Sequence, residues 1–546
     1  MGDSKSILLV AALLSRNIRL GHTCLNLHAG LPPIEEPPND LAAFWESLSV
    51  EELARCSAVG SPTDLRPLIL TPDGLLYLRR YWEYEETLAS KILSRCPGPN
   101  TPVPASEDRQ IDAVRAAAGG KFLVISGGPG TGKTTTIFRI LENLLQSPHP
   151  PKNLVLCAPT GKAAARLQES ISQQSTNSPL ADRLPRTAST LHRLLGPVRG
   201  SNRFHHHAAN PLPADLVVID EASMVPLALM AKLFAALSPH ARVILVGDAD
   251  QLTSVEAGSV LGDLVAAASQ PTSPLHAAVV VLEKNYRFGN NSPIHRLSSA
   301  IRKGRVQVAL SLLRNPIQSV GRESLSSSPT PSPRELEQAL QQEVLNGFAP
   351  ALREADARLA LEALRRFRIL TPLRHGPYGV AHLNLLAEKI LREAGLMPSL
   401  GRHRRGTPLI IQENDYSNQL FNGDVGIILP GPEGEPTACF PGIDGKIRRF
   451  SPERLPRHES AFAMTIHKSQ GSEFESVLVI FPPHDSPLLT RELAYTAITR
   501  ASRAVGLWYQ PELLGASISR KIQRDSGLIN RLTSSTPPPV AGECDS

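Results

Sequence analysis

A glycine-rich stretch at residues 125–136 has the residue types and spacing of a phosphate-binding loop. It fits the pattern G-x-x-x-x-G-K-[ST], which begins at Gly127 and ends at Lys133 and Thr134. An apolar run precedes the stretch and a segment of helical periodicity follows it, so the loop should join a strand to a helix. In that setting backbone N–H groups and the helix N-terminus attract phosphate oxygens. Lys133 can then reach the β- and γ-phosphates, and the Thr134 hydroxyl can hold Mg²⁺.

This loop predicts a site for a nucleoside triphosphate with Mg²⁺. Glycine-rich turns also occur in inert domains, but rarely with the full pattern between a strand and a helix. On a predicted helix before the loop, Gln110 could read the adenine edge with its amide or could simply face solvent. The candidate nucleotide-binding residues are Gln110, Gly127, Gly128, Pro129, Gly130, Thr131, Gly132, Lys133, Thr134 and Thr135.

Two adjacent carboxylates, Asp220 and Glu221, follow the apolar run at 216–219. Asp220 could hold the water shell of the same Mg²⁺ as Thr134, and Glu221 could polarise an attacking water. The alternative is a polar cap at the end of a strand. Their place after the phosphate loop, in the same alternation of strands and helices, favours the catalytic interpretation.

Three more polar residues could respond to the γ-phosphate. Gln251 follows the apolar run at 243–246 and could sense this group. Arg287 is a candidate arginine finger, a device worth about 10³ to 10⁵ in turnover, and Arg500 lies on a predicted helix. An isolated arginine after an aromatic residue is normally a surface residue, so this interpretation depends on the order of the motifs. The candidate catalytic set is Lys133, Asp220, Glu221, Gln251, Arg287 and Arg500.

A second strand–turn–helix unit carries Thr160 and Lys162 at the carboxyl end of its strand. Doubly wound sheets bind their ligands at that edge, and a hydroxyl, a lysine and a helix N-terminus together suit a nucleic-acid phosphate. Taken alone, the unit is only a capped helix. The adjacent histidines 205–207 could suggest a metal site, but neighbours in an extended segment cannot converge on one ion, which favours an exposed loop or hairpin.

Composition describes an ordinary multidomain protein. The chain has 546 residues, with 57 Lys and Arg against 51 Asp and Glu, a formal net charge of +6. This mild excess permits a polyanionic partner without requiring one. The six cysteines are scattered without a C-x-x-C pair, which favours a reducing, cytoplasmic location. No run approaches the roughly 18 apolar residues of a membrane span, so no membrane partner is expected.

The flanking regions differ in character from the motif-bearing core. Helices are predicted at 7–17, 39–55 and 73–95, where aromatic residues at 76–86 fit either a partner-docking face or a helix buried in its own core. The Ser- and Pro-rich segment 324–333 predicts a mobile loop. Short β-like runs joined by turns at 401–459 predict a small β-barrel insert. A linker at 97–104 and a disordered tail at 533–546 complete the pattern.

The ordered motifs resemble those of the RecD family of superfamily-one DNA helicases, the alpha subunits of exodeoxyribonuclease V. The resemblance covers 106 to about 510 and rests on the phosphate loop, APTGKAA, TLHRLLG, DEASM, GDADQL, NYRF, LFNGDVG and TIHKSQGSEF. It implies ATP with Mg²⁺ between two lobes, 5′-to-3′ translocation on single-stranded DNA, and work at duplex ends in double-strand break repair and homologous recombination. DNA contacts would fall on Thr160, Lys162, His192, Thr465 and His467.

The resemblance also implies a fold and partners. We expect an α/β protein of two RecA-like P-loop lobes, at 105–300 and at 301–400 with 460–520. A hairpin insert would lie at about 196–214, the β-barrel insert at 401–459, and a mainly helical partner-docking domain at 1–104. The expected partners are RecB and RecC in a heterotrimer whose nuclease resides in RecB. The alternative is a free-standing helicase of the same family.

Overall fold

The computed structural model describes residues 2–32, 34, 40–96, 106–176, 178–287, 292–314, 323–399, 401, 403–415, 417–442 and 446–533. The predicted linker at 97–104 lies outside these residues, as does the predicted tail apart from Thr533. Within the described part of the chain, no helix is long and apolar enough to cross a membrane.

The N-terminal region combines helices with a small sheet. Its elements are α1 (Gly2–Arg19), β1 (Leu25–Asn26), α2 (Leu41–Glu46), α3 (Val50–Arg55), β2 (Val59–Gly60), β3 (Leu68–Leu70), β4 (Leu75–Leu78) and α4 (Arg79–Leu93). The four strands form one sheet in the order β1-β4-β3-β2. The prediction of a mainly helical region is therefore incomplete, and a helix from 73 is wrong, because 75–78 pair with β1 and β3. Apolar residues that suit a helix stripe also suit a short buried strand.

The first lobe is a six-stranded parallel sheet with helices on both faces. Its elements are α5 (Arg109–Gly119), β5 (Phe122–Gly127), α6 (Lys133–Gln146), β6 (Leu154–Ala158), α7 (Gly161–Ser175), β7 (Ala188–Thr190), α8 (Leu191–Leu195), β8 (Leu216–Ile219), α9 (Leu227–Ala236), β9 (Arg242–Gly247), α10 (Val260–Ala268) and β10 (Val279–Leu282). The strand order is β10-β5-β9-β8-β6-β7. Every residue of β5 and β8 is buried, as a sheet covered on both faces requires.

The second lobe repeats this architecture with five parallel strands. It begins with α11 (Pro293–Arg302), α12 (Val306–Arg314), β11 (Ser324–Pro329), α13 (Leu336–Arg353), α14 (Ala357–Leu364), β12 (Phe367–Thr371) and α15 (Val380–Glu393). Between α15 and the rest of the lobe lies an insert of β13 (Pro408–Ile411), β14 (Val425–Pro430), β15 (Pro436–Pro441), β16 (Ile447–Phe450) and β17 (His458–Ser460). The lobe resumes with β18 (Ala463–Thr465), β19 (Phe474–Ile480), α16 (Arg491–Ile498), β20 (Ala501–Tyr509) and α17 (Pro511–Ser519), and α18 (Leu528–Thr533) follows it.

The second sheet runs β11-β20-β19-β12-β18, so the expected pair of parallel α/β lobes is confirmed. The insert is a separate antiparallel sheet in the order β16-β15-β14-β13-β17. Among the described residues its two edge strands are not paired with each other. The structure thus shows a five-stranded sheet in this region, and closure into a barrel is not established.

The predicted mobile loop at 324–333 is wrong for its first six residues. Residues 324–329 form β11, an edge strand paired in parallel with β20 from Ser324 to Pro329. Leu325 is buried, and the Ser327 hydroxyl donates to the Leu313 carbonyl. Pairing uses backbone groups, so the adjacent strand orders a segment whose composition alone indicates a loop.

Candidate functional site: a cleft between the two lobes

A cleft of about 290 Å³ lies between the two lobes, at the carboxyl end of the first parallel sheet and at the amino ends of β19 and β20 in the second. The first lobe lines it with the phosphate loop, α7 and the residues after β8, β9 and β10. The second lobe contributes residues 471–473 and 499–500. All six candidate catalytic residues lie on its wall, namely Lys133, Asp220, Glu221, Gln251, Arg287 and Arg500.

The phosphate loop connects β5 to α6 as the sequence predicts. Gly130 and Gly132 have φ of 82° and 81°, a left-handed conformation that favours glycine. The Lys133 ammonium donates to the Gly127 carbonyl at 2.7 Å and to the Gly128 carbonyl at 3.2 Å. Its positive charge therefore sits over the curl of the loop at the N-terminus of α6, where an anion is favoured. Pro129, Thr134 and Thr135 line the cleft beside it.

Gln110 lies beside this loop, off the cleft wall. Its Nε2 donates to the Thr131 carbonyl at 3.4 Å, and its Oε1 accepts from Arg139 at 2.9 Å. A methyl group at Gly132 would lie 2.4 Å from Gln110 Nε2. In this structure the Gln110 amide hydrogen-bonds to the phosphate loop, and its contact with adenine stays a prediction.

Asp220 and Glu221 stand at the end of β8, facing Lys133. The Glu221 N–H donates to Asp220 Oδ1 at 2.9 Å, and Glu221 itself has φ of 51°. A side chain in the left-handed region is strained, and such strain is concentrated at functional sites. Burial and the Glu221 charge raise the pKa of Asp220, while Lys133 acts in the opposite direction. A cation at this position would offset both effects.

The residues present fit a hydrated Mg²⁺. A hydroxyl and a carboxylate, on Thr134 and Asp220, are hard oxygen ligands on the wall of one cleft. No group of three or more His, Cys, Asp and Glu in the described residues could hold a metal by itself. Mg²⁺ retains several waters and takes one or two protein ligands together with phosphates.

Arg500 reaches the cleft from the second lobe, in the turn between α16 and β20, so its predicted place on a helix is wrong by two residues. Its guanidinium donates to the carbonyls of Thr496 and Ser472, at 3.1 and 3.2 Å, and to Gln251 Oε1 at 2.9 Å. The contact with Gln251 crosses between the lobes, because Gln251 follows β9. The candidate sensor of the γ-phosphate, Gln251, is thus joined directly to the arginine of the second lobe.

Arg287 is held by a residue to which sequence reasoning gave no role. The Arg287 and Arg166 guanidiniums both contact Glu473 Oε2 at 2.6 Å. Burial opposes ionisation of Glu473, but Arg287 and then Arg166 outweigh it and lower its pKa. The neighbours of Arg287 fix the chain here: the Tyr286 N–H donates to the Gly130 carbonyl at 2.7 Å, and Asn285 Nδ2 donates to the Pro129 carbonyl at 2.9 Å.

The candidate DNA residues follow strands at the carboxyl edges of both sheets. Thr160 caps α7 by accepting from the Ala163 N–H, and Lys162 donates to Ser472 Oγ at 2.7 Å across the lobes. Burial and the Arg368 charge lower the pKa of Lys162 to about 8.

The remaining DNA candidates are more dispersed. Thr465 ends β18 and is buried, and His467 follows it, partly buried, with a pKa lowered by burial and by Arg374. His192 is exposed on α8, its ring 6.0 Å from that of Phe204. Their role in DNA binding stays a prediction.

The segment with three histidines is a surface turn. Antiparallel bridges join Pro197 to Phe204 and His207 to Asn210. His205 and His207 are exposed, in line with the predicted exposed loop or hairpin.

Comparison with known proteins assigns the family. Residues 110–257 match the AAA domain, residues 460–508 match the UvrD-like helicase C-terminal domain, and residues 1–77 match the N-terminal domain of RecBCD enzyme subunit RecD. RecBCD enzyme subunit RecD of Mycolicibacterium smegmatis is 38% identical over 547 residues, which cover 96% of this chain and 94% of the relative. The chain belongs to the RecD family.

Two further similarities differ in extent. The ATP-dependent RecD2 DNA helicase of Deinococcus radiodurans is 33% identical over 465 residues, which cover 82% of this chain but 57% of that protein. A structure of Pif1 helicase with forked DNA has a TM-score of 0.42 and 16% identity, covering 75% of this chain and 94% of its own. Membership of the RecD family confirms the expectation of a DNA helicase.

Proposed function

We propose that this chain is the RecD subunit of a RecBCD-type complex, an ATP-driven motor that moves 5′ to 3′ along single-stranded DNA from duplex ends. The observation that carries the proposal is the cleft, where the phosphate loop of one lobe faces Arg500 of the other. A site assembled from two lobes couples the state of its ligand to the separation of those lobes.

The roles of the cleft residues follow from their positions. Lys133 and the loop N–H groups bind the β- and γ-phosphates of ATP, with Thr134 and Asp220 as the residues that would hold Mg²⁺. Bound Mg²⁺ supplies charge neutralisation on the phosphate oxygens. Glu221 orients the attacking water and accepts its proton, while Arg287 and Arg500 stabilise the negative charge of the transition state.

Movement follows from the contacts between the lobes. Gln251 accepts a hydrogen bond from Arg500, so a γ-phosphate bound beside them interacts with residues of both lobes. Its loss weakens the attraction that holds them closed. Residues at the carboxyl edges of both sheets supply the contacts to DNA. They are Thr160, Lys162 and His192 in the first lobe and Thr465 and His467 in the second.

We favour the hypothesis that the chain assembles with RecB and RecC over the hypothesis that it is a free-standing helicase. Residues 1–77 match the N-terminal domain of RecBCD enzyme subunit RecD, and the M. smegmatis subunit is spanned almost end to end. By contrast, the D. radiodurans RecD2 helicase is matched over little more than half its length. A cytoplasmic location, predicted from the scattered cysteines, is part of this proposal.

The test is strand displacement on duplexes with a 5′ or a 3′ single-stranded overhang, with ATP turnover measured in parallel. We expect turnover that requires single-stranded DNA and unwinding of the 5′-overhang substrate. Lys133→Ala should abolish both, because the phosphates lose their principal cation. Lys152→Ala, an exposed lysine of the same lobe, is the control. Turnover independent of DNA, or unaffected by Lys133→Ala, would contradict the proposal.

A further inference from the structure

A tyrosine of the second lobe is inserted between the phosphate loop and the end of β9. Tyr495, on α16, is only 4% exposed. Its hydroxyl donates to Asp248 Oδ2 at 3.1 Å, although Asp248 belongs to the first lobe. The same hydroxyl lies 2.6 Å from the point where a Cβ on Gly128 would stand. One phenol therefore touches the phosphate loop and the residue that follows β9.

Asp248 also accepts a hydrogen bond from Gln251. Gln251 Nε2 donates to the same Oδ2 atom at 2.9 Å, and Gln251 Oε1 accepts from Arg500 at 2.9 Å. Asp248 is 2% exposed, so its carboxylate has little water to replace either donor. Removing the tyrosine hydroxyl leaves that oxygen with one of its two side-chain donors.

The second lobe makes two further hydrogen bonds to the loop that follows Asp248. The Thr496 hydroxyl accepts from the Leu252 N–H at 3.0 Å, and Gln470 Nε2 donates to the Leu252 carbonyl at 2.7 Å. Since Tyr495, Thr496 and Arg500 lie on one short segment of the second lobe, any rotation of that lobe moves their contacts with residues 248–252 together.

We propose that Tyr495 is a positioning residue of the ATP site, which sets Asp248 and Gln251 against the phosphate loop only while the lobes are closed. This inference rests on the proposed function and deepens it. When the lobes part, the hydroxyl leaves Asp248 and Gly128, and the carboxamide of Gln251 loses its fixed orientation. Turnover is then confined to the closed state, which keeps ATP hydrolysis tied to movement.

The same geometry explains why residue 128 is a glycine. Its φ lies outside the left-handed region, so an alanine meets no backbone strain there. A methyl group would instead collide with the Tyr495 hydroxyl and push it away from Asp248. Tyr495→Phe and Gly128→Ala therefore remove one and the same hydrogen bond.

The experiment measures ATP turnover on single-stranded DNA for Tyr495→Phe, Gly128→Ala and the double variant. The loss of a hydrogen bond to a buried carboxylate should lower kcat about tenfold in each single variant. The KM of Tyr495→Phe for ATP should stay within about twofold, since Tyr495 acts through Asp248, and the kcat of the double variant should equal that of the single variants because the bond can be lost only once. Tyr378→Phe is the matched control: this tyrosine is 2% exposed, also in the second lobe, and donates to the Pro331 carbonyl.

Each result decides between the alternatives. A kcat of Tyr495→Phe equal to that of the Tyr378→Phe control overturns the positioning role, as does a lower melting temperature with kcat unchanged. A double variant whose kcat loss is the product of the two single losses overturns the shared bond. If the wild type itself shows no turnover that depends on Lys133, the proposed function fails instead.

Discussion

At the scale of single residues, Glu473 joins the candidate arginine finger to the second lobe. One of its oxygens accepts from both Arg287 and Arg166, which brings two guanidiniums of the first lobe together on a carboxylate of the second. The carboxylate offsets the repulsion between the two cations. Without it, Arg287 would lose this ionic contact with the second lobe.

The first prediction follows from that contact. Glu473→Gln keeps the size of the side chain but removes its charge, so we expect kcat/KM for ATP to fall about tenfold as Arg287 loses its anchor. Glu475→Gln is the control, because Glu475 pairs with Arg503 on the exposed surface. Steady-state turnover on single-stranded DNA measures both. Equal kcat/KM values for the two variants would mean that Glu473 does not hold the finger.

The residues with a family motif were foreseeable from sequence, and their partners were not. Lys133 begins α6, Asp220 follows β8 and Gln251 lies in the turn after β9, each in a recognisable motif, and the structure places them on the wall of one cleft. Glu473 lies in the motif TIHKSQGSEF, but its partner Arg287 is 186 residues away. A local pattern carries no information on a contact made across that distance.

At the scale of elements, the C-terminal helix α18 ties the N-terminal region to the first lobe. Arg531 of this helix pairs with the fully buried Glu85 of α4, and the Thr23 N–H donates to the Asp525 carbonyl. Helix α18 also packs against α10, where Asp263 is 9% exposed. Two buried carboxylates therefore lie near one joint of the molecule.

The second prediction concerns the pH dependence of that joint. Burial is the main cause that raises the pKa of Asp263 to about 7, and Glu85 adds to it. A carboxyl whose pKa is raised by folding contributes stability below its unfolded pKa, near 4, and loses it as the pH rises towards 7. The melting temperature of Asp263→Asn should therefore exceed that of the wild type increasingly from pH 5 to pH 8.

The control for this measurement is Asp182→Asn, whose side chain is 97% exposed. Its melting temperature should follow that of the wild type at each pH. A constant difference between Asp263→Asn and the wild type across the range would show that Asp263 is ionised in the folded protein at every pH tested.

Elements with strong periodicity were predictable, whereas those formed by pairing alone were not. Strands such as β5 and β8 are continuous apolar runs, and their type is fixed by the sequence around them. Strand β11 is Ser-rich and becomes a strand only because β20 offers an unpaired edge. Strand β4 continues directly into α4, so the apolar residues of both appear as one helical segment in the sequence.

At the scale of the whole molecule, several polar contacts join the two lobes around the cleft. Lys162 and Arg166 of the first lobe reach Ser472 and Glu473, and Arg500 of the second reaches Gln251. These contacts surround the cleft, so a ligand held there stabilises the closed arrangement. We propose that ATP is hydrolysed only while the lobes are closed.

Removal of Arg500, with every residue of the first lobe intact, tests whether hydrolysis needs the second lobe. Arg500→Ala should lower kcat on single-stranded DNA by about 10³ or more, the magnitude of an arginine finger, while a non-hydrolysable ATP analogue still binds to the phosphate loop. Arg503→Ala, three residues further on and half exposed, should leave turnover unchanged. Wild-type turnover in Arg500→Ala would contradict the account, because hydrolysis would then not need the second lobe.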